Sequence, residues 1–181
     1  NGSNSALILN AGRNAAAGTS AGGNILISGT PVLTLGAGGR GTFYTGSVTG
    51  STGLTDYIGS GSGRFRYNSD EAVSNYTLAL GTGNYAVYRE RPTVSVTAGD
   101  ETQAWNGVPY SGGNGVSSTG FVNGDTEAAL GGAIVYGGTS QGAVNGGSYT
   151  IIPSGYIDGL GYALSYVHGT LTITGSAPEP P

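Results

Sequence analysis

The sequence of 181 residues contains no cysteine, no methionine and no lysine. Without cysteine the chain forms neither disulfide bonds nor thiolate metal sites. Without lysine it has no phosphate loop of the Walker type and no lysine amine for an intramolecular isopeptide crosslink. Charged residues are only 9% of the chain and the net charge is -4, so we expect no nucleic-acid partner.

Long apolar runs are also missing. No stretch of about 18 apolar residues occurs, so we expect no insertion into a membrane. The first residues do not show the basic and then apolar pattern of a signal peptide. Because methionine is absent even from position 1, we expect the chain to be a piece of a longer protein whose secretion signal lies elsewhere.

Glycine is the most abundant feature of the composition, with 37 residues, and Ser, Thr and Asn dominate the polar positions. Glycine at this level disfavours long helices, and the glycines lack the strict period of collagen. Hydrophobic residues, at 37%, suffice for a thin core. The composition therefore predicts an all-β protein of short strands and tight turns, and favours a structural or binding role over an enzymatic one.

The first third of the chain repeats a short alternating pattern. Leu7–Gly12 (LILNAG) is echoed at Leu33–Gly38 (LTLGAG), with Asn24–Gly29 (NILISG) between them. A unit this short cannot bury its apolar side alone, so its neighbours must stack on it. We therefore predict a parallel β-helix, or solenoid, over residues 1–68, with an open edge for assembly that includes Leu7 and Leu9.

Residues 69–92 read as a connector with a short helix and a strand. Ser69 is a candidate helix cap before the acidic pair Asp70 and Glu71, and Gly81 would end the helix. Alternation over Tyr85–Arg89 then predicts a strand.

A second domain is predicted over residues 93–175, with 176–181 as a linker or tail. Its strands are expected at 93–97, 130–136, 148–152, 162–167 and 170–174, separated by glycine turns. The first and last strands, TVSVT and TLTIT, share one pattern, so we expect both to be assembly edges, with Val94, Val96, Leu171 and Ile173 on them.

Four stretches of this domain resemble the glycine-rich MBG domain of bacterial adhesins. They are Tyr110–Gly115, Phe121–Thr126, Gly147–Gly155 and, most specifically, Tyr162–Ile173. His168 departs from the acidic or amide residue usual at its position. The first 90 residues are similar to the repeat region of filamentous-haemagglutinin-like exoproteins.

The resemblance implies a small β-sandwich-like module in the C-terminal part of a two-partner-secretion adhesin. It implies a secreted, surface-associated fibre component with adhesive or biofilm-matrix roles, and it transfers no catalytic residue. We expect no cofactor.

Two motifs point to enzymes, each with a structural alternative. Gly36–Gly41 (GAGGRG) satisfies the dinucleotide fingerprint, but the residues after it read as a strand and not as a helix. Gly138–Gly142 (GTSQG) matches a nucleophile elbow around Ser140, with Asp158 and His168 following in hydrolase order. The same pattern recurs at Gly18–Gly22, as chance predicts in such a composition.

Metal binding has weak support. His168 is the only histidine, and no acidic residue lies at a zinc or calcium-loop spacing from it. The pairs Asp70/Glu71 and Asp100/Glu101 are candidates for calcium, against solvated loop charges. We expect no metal site.

The twelve tyrosines and the single tryptophan allow a third class of function. Exposed aromatic rings stack on sugars, and Trp105, Tyr110 and Tyr136 are the candidates for glycan contact. The alternative for each is a role in covering the β core. Three functions thus remain open: a self-associating fibre element, a polysaccharide-binding adhesin module and a hydrolase.

Overall fold

The computed structural model describes residues 5–178, and these are nearly all β. Strands make up 35% of the chain and helix 5%, so the prediction of an all-β protein is confirmed. The strands are β1 (Ser5–Asn10), β2 (Arg40–Thr45), β3 (Phe65–Arg66), β4 (Gly83–Tyr88), β5 (Thr93–Ala98), β6 (Glu101–Ala104), β7 (Val116–Thr119), β8 (Gly131–Gly137), β9 (Gly147–Ile157), β10 (Ala163–Val167) and β11 (Gly169–Thr174). Helix α1 (Leu54–Ile58) and a 3-10 turn at Glu127–Ala129 are short, and within residues 5–178 no helix is long and apolar enough to cross a membrane.

The chain forms two compact units, each assembled from several chain segments. Of the described residues, the first unit comprises 5–93, Phe121–Gly131 and Asp158–Ala163. The second comprises Val94–Gly120, Gly132–Ile157 and 164–178.

The first unit contains a parallel sheet in the order β1-β2-β4-β3. Leu9 pairs with Phe43, and Phe43 pairs with Ala86. Parallel pairing is what stacked solenoid repeats produce, but β4 lies between β2 and β3, so the strand order does not follow the chain. The core on this sheet is aromatic, with Phe43, Phe65, Tyr67 and Tyr88 all buried.

Two of the three predicted repeat strands are wrong. The residues 24–29 and 33–38 form no strand, although alternate side chains along them are half-buried. Their backbone makes single hydrogen bonds, such as Ile27 N–H to Thr52 O at 2.9 Å, in place of a ladder. Alternation therefore detected an extended chain, which becomes a strand only where a neighbour pairs with it continuously.

The helix predicted from Ser69 to Gly81 is also wrong. The carboxylate of Asp70 accepts the N–H groups of Ala72 and Val73, each at 2.7 Å, and the Ser69 hydroxyl accepts the Asn75 N–H. These bonds satisfy the backbone locally and close a turn, as short polar side chains commonly do. The following strand is confirmed as β4.

The second unit contains two sheets, in the orders β10-β5-β7 and β6-β11-β9-β8. Within the second of these, β11 pairs parallel with β6 and antiparallel with β9. An apolar cluster fills the unit: Ala98, Tyr110, Ala143, Ile151, Leu171 and Ile173. All five strands predicted between 93 and 174 are present, whereas the polar strands β6 and β7 were not predicted.

The strands predicted as assembly edges of this domain are not edges. Strand β5 lies between β10 and β7, and β11 lies between β6 and β9. Val94, Val96 and Leu171 have no exposed surface and Ile173 is 3% exposed. Backbone groups on both sides of these strands are already paired, so they cannot accept a further strand.

Candidate functional site

The three aromatic residues predicted to contact glycan do come together, in the second unit. Tyr110 belongs to the apolar cluster, and Trp105 and Tyr136 pack against it, half-buried. Tyr110 is 8% exposed, and its hydroxyl donates to Glu101 Oε2 at 2.6 Å. Burial, with a smaller effect of Glu101, raises the pKa of Tyr110 to about 12. Tyr110 is thus a core residue, and of the three predicted residues only Trp105 and Tyr136 have partly exposed side chains.

One predicted assembly edge does lie at the edge of a sheet. Strand β1 pairs with β2 alone among the described residues. Leu9 is 42% exposed, and Leu7 is half-buried. These two residues are the only members of the predicted assembly set that lie on an outer strand.

The hydrolase arrangement has no support in the geometry. Ser140 is buried, and its hydroxyl donates to Gly137 O at 3.4 Å and accepts from Gln141 Nε2 at 2.9 Å. The Asp158 carboxylate accepts the N–H groups of Leu160 and Gly161. Each side chain is thus occupied within its own turn, and His168 is exposed.

The glycine-rich fingerprint at residues 36–41 forms a turn that leads into β2. Gly39 N–H donates to Gly36 O at 2.8 Å, and Gly38 has a φ of 74° that favours glycine. The predicted strand after the motif is confirmed as β2. A strand at this point gives a pyrophosphate no helix N-terminus to bind.

Three of the four paired acidic side chains, Asp70, Glu71 and Asp100, accept backbone N–H groups, whereas Glu101 accepts the Tyr110 hydroxyl. Asp70 also accepts the Ala17 N–H at 2.8 Å, and Glu71 accepts the Asn14 N–H at 3.2 Å. Hydrogen bonds from its own backbone N–H, from the Asn10 side chain and from the Asn14 N–H lower the pKa of Glu71. Asp100 accepts the Thr170 N–H at 2.7 Å. Within residues 5–178 no three side chains of His, Cys, Asp or Glu form a group that could hold a metal ion.

The residues that sequence reasoning missed are the buried polar groups of the first unit. Arg66, at the end of β3, is 1% exposed and lies 5.7 Å and 5.5 Å from the ring centres of Tyr76 and Tyr85. Its guanidinium donates to the backbone carbonyls of Gly63, Phe65, Leu78 and Ala79, at 2.7–3.3 Å. Burial lowers the pKa of Arg66. One side chain thus holds two separate loops through their carbonyl groups.

Arg89 likewise holds the N-terminal loops through hydrogen bonds to their backbone carbonyls. It directly follows β4 and has no exposed surface. Its guanidinium donates to Ala21 O at 3.2 Å, to Gly23 O at 3.0 Å and also to Ala11 O and Asn10 Oδ1. Gly12 and Gly22 pack so closely that an added Cβ would lie under 3 Å from the guanidinium. The arginine and the glycines therefore form one compact arrangement.

A third buried group joins two tyrosines to one carboxylate. Tyr67 and Tyr162 both donate to Asp125 Oδ2, at 2.8 and 2.9 Å, and Asn123 Nδ2 donates to the Tyr67 hydroxyl. Burial raises the pKa of Asp125 against the opposing effect of these donors and of Arg66. Burial likewise raises the pKa values of both tyrosines. Asn123 and Asp125 belong to Phe121–Thr126, one of the four stretches that resemble the MBG domain. These two residues of that stretch therefore form part of a buried hydrogen-bond network.

The two arginines had no signal in the strand pattern. Phe65 and Arg66 are consecutive buried residues of β3, and Arg89 follows the consecutive buried residues Ala86–Tyr88 of β4, so alternation does not mark either arginine as buried. Their neighbours Arg64 and Arg91 are exposed. The partners were not readable, because they are backbone carbonyls of distant loops.

Comparison with protein families assigns the second part of the chain. Residues 94–172 match the MBG domain (YGX type), so this part of the resemblance is confirmed. Comparison with curated proteins and with solved structures gave no match. Domains of this family occur in extracellular surface or adhesin-type proteins and are structural in character. The domain covers less than half of the chain, and nothing in the comparisons assigns residues 1–93.

Proposed function

We propose that the chain is a non-enzymatic structural and adhesive component of a bacterial surface or biofilm matrix, whose copies associate by pairing of β-strands. The observation that carries the proposal is the MBG domain at residues 94–172 within a chain that is nearly all β. The wider context, a secreted filamentous-haemagglutinin-like protein of the two-partner pathway, belongs to the same proposal. Under this proposal, the parallel sheet of the first unit is part of a solenoid shaft.

The physical basis for association is the backbone of outer strands. An edge strand leaves N–H and C=O groups that a partner strand can pair with. Strand β1 is such an edge in the first unit, and β6 and β8 are the outermost strands of one sheet in the second. Few charges oppose this pairing, since charged residues are only 9% of the chain.

Negative-stain electron microscopy and light scattering over a concentration series test this function. We expect particles that grow with concentration, and regular filaments where two different edges are used. Monodisperse monomers at every concentration would overturn self-association and leave the domain as a spacer.

A second candidate function is binding of polysaccharide. It is favoured by one observation: the half-buried rings of Trp105 and Tyr136 lie against the same apolar cluster. A ring that is held from behind and partly open in front suits stacking on a sugar. The Trp105→Ala variant should then lose binding on a glycan array, with Tyr57→Ala as the matched control because Tyr57 is also half-buried but packs against Phe43 in the first unit. Absence of any bound glycan for the native chain would exclude this alternative.

A further inference from the structure

Two short segments of the residues that match the MBG domain belong to the first unit and not to the second. The match covers residues 94–172, yet Phe121–Gly131 and Asp158–Ala163 lie in the first unit with the residues that precede the match. We name these two segments the first loop and the second loop. They include Asn123 and Tyr162, so both loops contain positions that carry the family resemblance.

The first loop is bonded through Asn123 to residues 55–78, which we name the upstream segment. The backbone carbonyl of Asn123 accepts the Gly61 N–H at 2.9 Å. Its side-chain oxygen accepts the Thr55 hydroxyl at 2.6 Å, and its Nδ2 donates to the Tyr67 hydroxyl at 3.1 Å. Asn123 is buried, and a buried amide needs such partners. All three of these partners precede the residues that match the family.

The second loop is bonded to the upstream segment through its backbone. The Leu160 carbonyl accepts the Tyr67 N–H at 2.8 Å, and the Gly159 carbonyl accepts two N–H groups from residues 77–78 at 3.1 and 3.0 Å. The rings of Tyr67 and Tyr162 are both buried, and their centres lie 4.5 Å apart. Backbone pairing and aromatic packing therefore act together at this loop.

One glycine in each loop is required by the backbone of the upstream segment. Gly124 has a φ of 77° and Gly161 a φ of 107°, and both values favour glycine. A Cβ on Gly124 would lie under 3 Å from the Gly61 nitrogen, and a Cβ on Gly161 would lie under 3 Å from the Tyr67 carbonyl oxygen. Close approach of the upstream segment thus excludes a side chain at both positions.

We propose that the two loops form a docking site for the upstream segment, and that they fold with this segment and not with the sheets of the second unit. Tyr67 is the central residue of the docked segment, because its hydroxyl bonds to Asn123 and Asp125 and its N–H bonds to Leu160. The MBG domain of this chain is thus not self-contained, since residues before position 94 complete two of its loops. Self-association of the chain is not required for this docking.

A pair of glycine variants of the full chain tests the docking. Gly115→Ala is the matched control for Gly124→Ala, because Gly115 has the same φ of 77°, also follows an asparagine and has no atom within 4 Å of a Cβ position. We expect Gly124→Ala to raise the amide exchange rates of Gly61 and Tyr67 about tenfold or more, since overpacking separates the first loop from the upstream segment. Gly115→Ala should leave these rates unchanged. Equal rates in the two variants would overturn the proposal.

Removal of one hydroxyl gives an independent test, which also decides the matter if Gly124→Ala does not fold. Tyr67→Phe leaves two buried groups of the first loop without their partner, so the amides of Val122 and Asp125 should exchange about tenfold faster. Amides of β9 and β11 should keep their rates. Tyr57→Phe is the control, because Tyr57 also lies in the upstream segment but its hydroxyl bonds to Asn84. Unchanged exchange in the first loop, or equal acceleration in β9 and β11, would overturn the proposal.

Discussion

The two units of this chain are stabilised in different ways. In the first unit the described residues include nine buried polar or charged side chains: Thr42, Thr45, Ser51, Arg66, Ser69, Asp70, Arg89, Asn123 and Asp125. In the second the corresponding set is Ser140 alone, beside an apolar cluster of Ile, Leu, Ala and Tyr. The first unit has long loops and few ladders, so its loop carbonyls need donors. The second pairs most of its backbone in sheets and can be filled with aliphatic groups.

The difference shows how a glycine-rich chain without disulfides or lysine orders its loops. A guanidinium carries five donors in a rigid fork, so one arginine satisfies several carbonyls at once. Glycines allow the loops to approach it closely, as Gly12 and Gly22 do at Arg89. Buried arginine takes the place that a disulfide or a larger apolar core holds elsewhere.

The largest expected effect is that of Arg89→Met. The variant keeps the apolar stem but leaves at least three loop carbonyls without their donor, so we expect a loss of roughly 3–5 kcal/mol in the free energy of unfolding of the first unit. Hydrogen exchange should show the loss at residues 10–23. Arg91→Met, which removes the same charge from an exposed position, should change it by under about 0.5 kcal/mol. Equal effects of the two variants would contradict the role given to Arg89.

In the second unit the largest effect should come from an apolar truncation. Leu171→Ala leaves a cavity in the cluster and should cost about 3 kcal/mol. Fluorescence of Trp105, the only tryptophan, reports denaturant unfolding of this unit. Ile152→Ala, on β9 but 36% exposed, is the control and should cost under about 1 kcal/mol. If Leu171→Ala lost no more free energy of unfolding than Ile152→Ala, apolar packing would not be what stabilises this unit.

The buried carboxyl group of Asp125 predicts a pH dependence in the stability of the first unit. The folded pKa of Asp125 lies above its unfolded value, chiefly because of burial. The stabilising contribution of the neutral carboxyl is therefore complete below about pH 4 and is lost as the pH rises through the folded pKa. We expect the native chain to lose stability relative to Asp125→Asn over that window, as followed by hydrogen exchange of residues 65–69. A difference between the two proteins that is constant with pH, or that slopes the other way, would refute this.

The smallest effect should be that of Tyr110→Phe. It removes one hydrogen bond to Glu101, which is half-exposed and regains water, so we expect about 1 kcal/mol or less. Tyr67→Phe should cost more, because Asp125 and Asn123 both lose a buried partner. If Tyr110→Phe cost more stability than Tyr67→Phe, buried polar groups would not matter more in the first unit than in the second.

The sequence predicted the second unit better than the first, for a physical reason. Strands β5, β10 and β11 alternate apolar residues because one face of each is buried, and this period is visible in the letters. Strands β6 and β7 alternate in burial too, but with Thr, Ser and Gln, which give no apolar signal. In the first unit, extended segments and strands share the same alternation, and only pairing distinguishes them.

For the predicted assembly edges, the sequence pattern identified apolar residues on strands but not whether each strand lies at the edge or in the centre of its sheet. The leucines of β1 are on an open edge, whereas Val94, Val96, Leu171 and Ile173 lie on central strands. Strand order depends on long-range pairing, which a local pattern does not encode. The roles of Arg66 and Arg89 were hidden for the same reason, since their partners are distant carbonyls.

Sedimentation equilibrium of the native chain beside Leu9→Lys tests the central claim most directly. The account predicts that the mass of the native chain rises above that of the monomer with concentration, while Leu9→Lys, which places a charge on the outer strand β1, associates more weakly over the same range. Native chain that stays monomeric, or a variant that associates equally well, would contradict it.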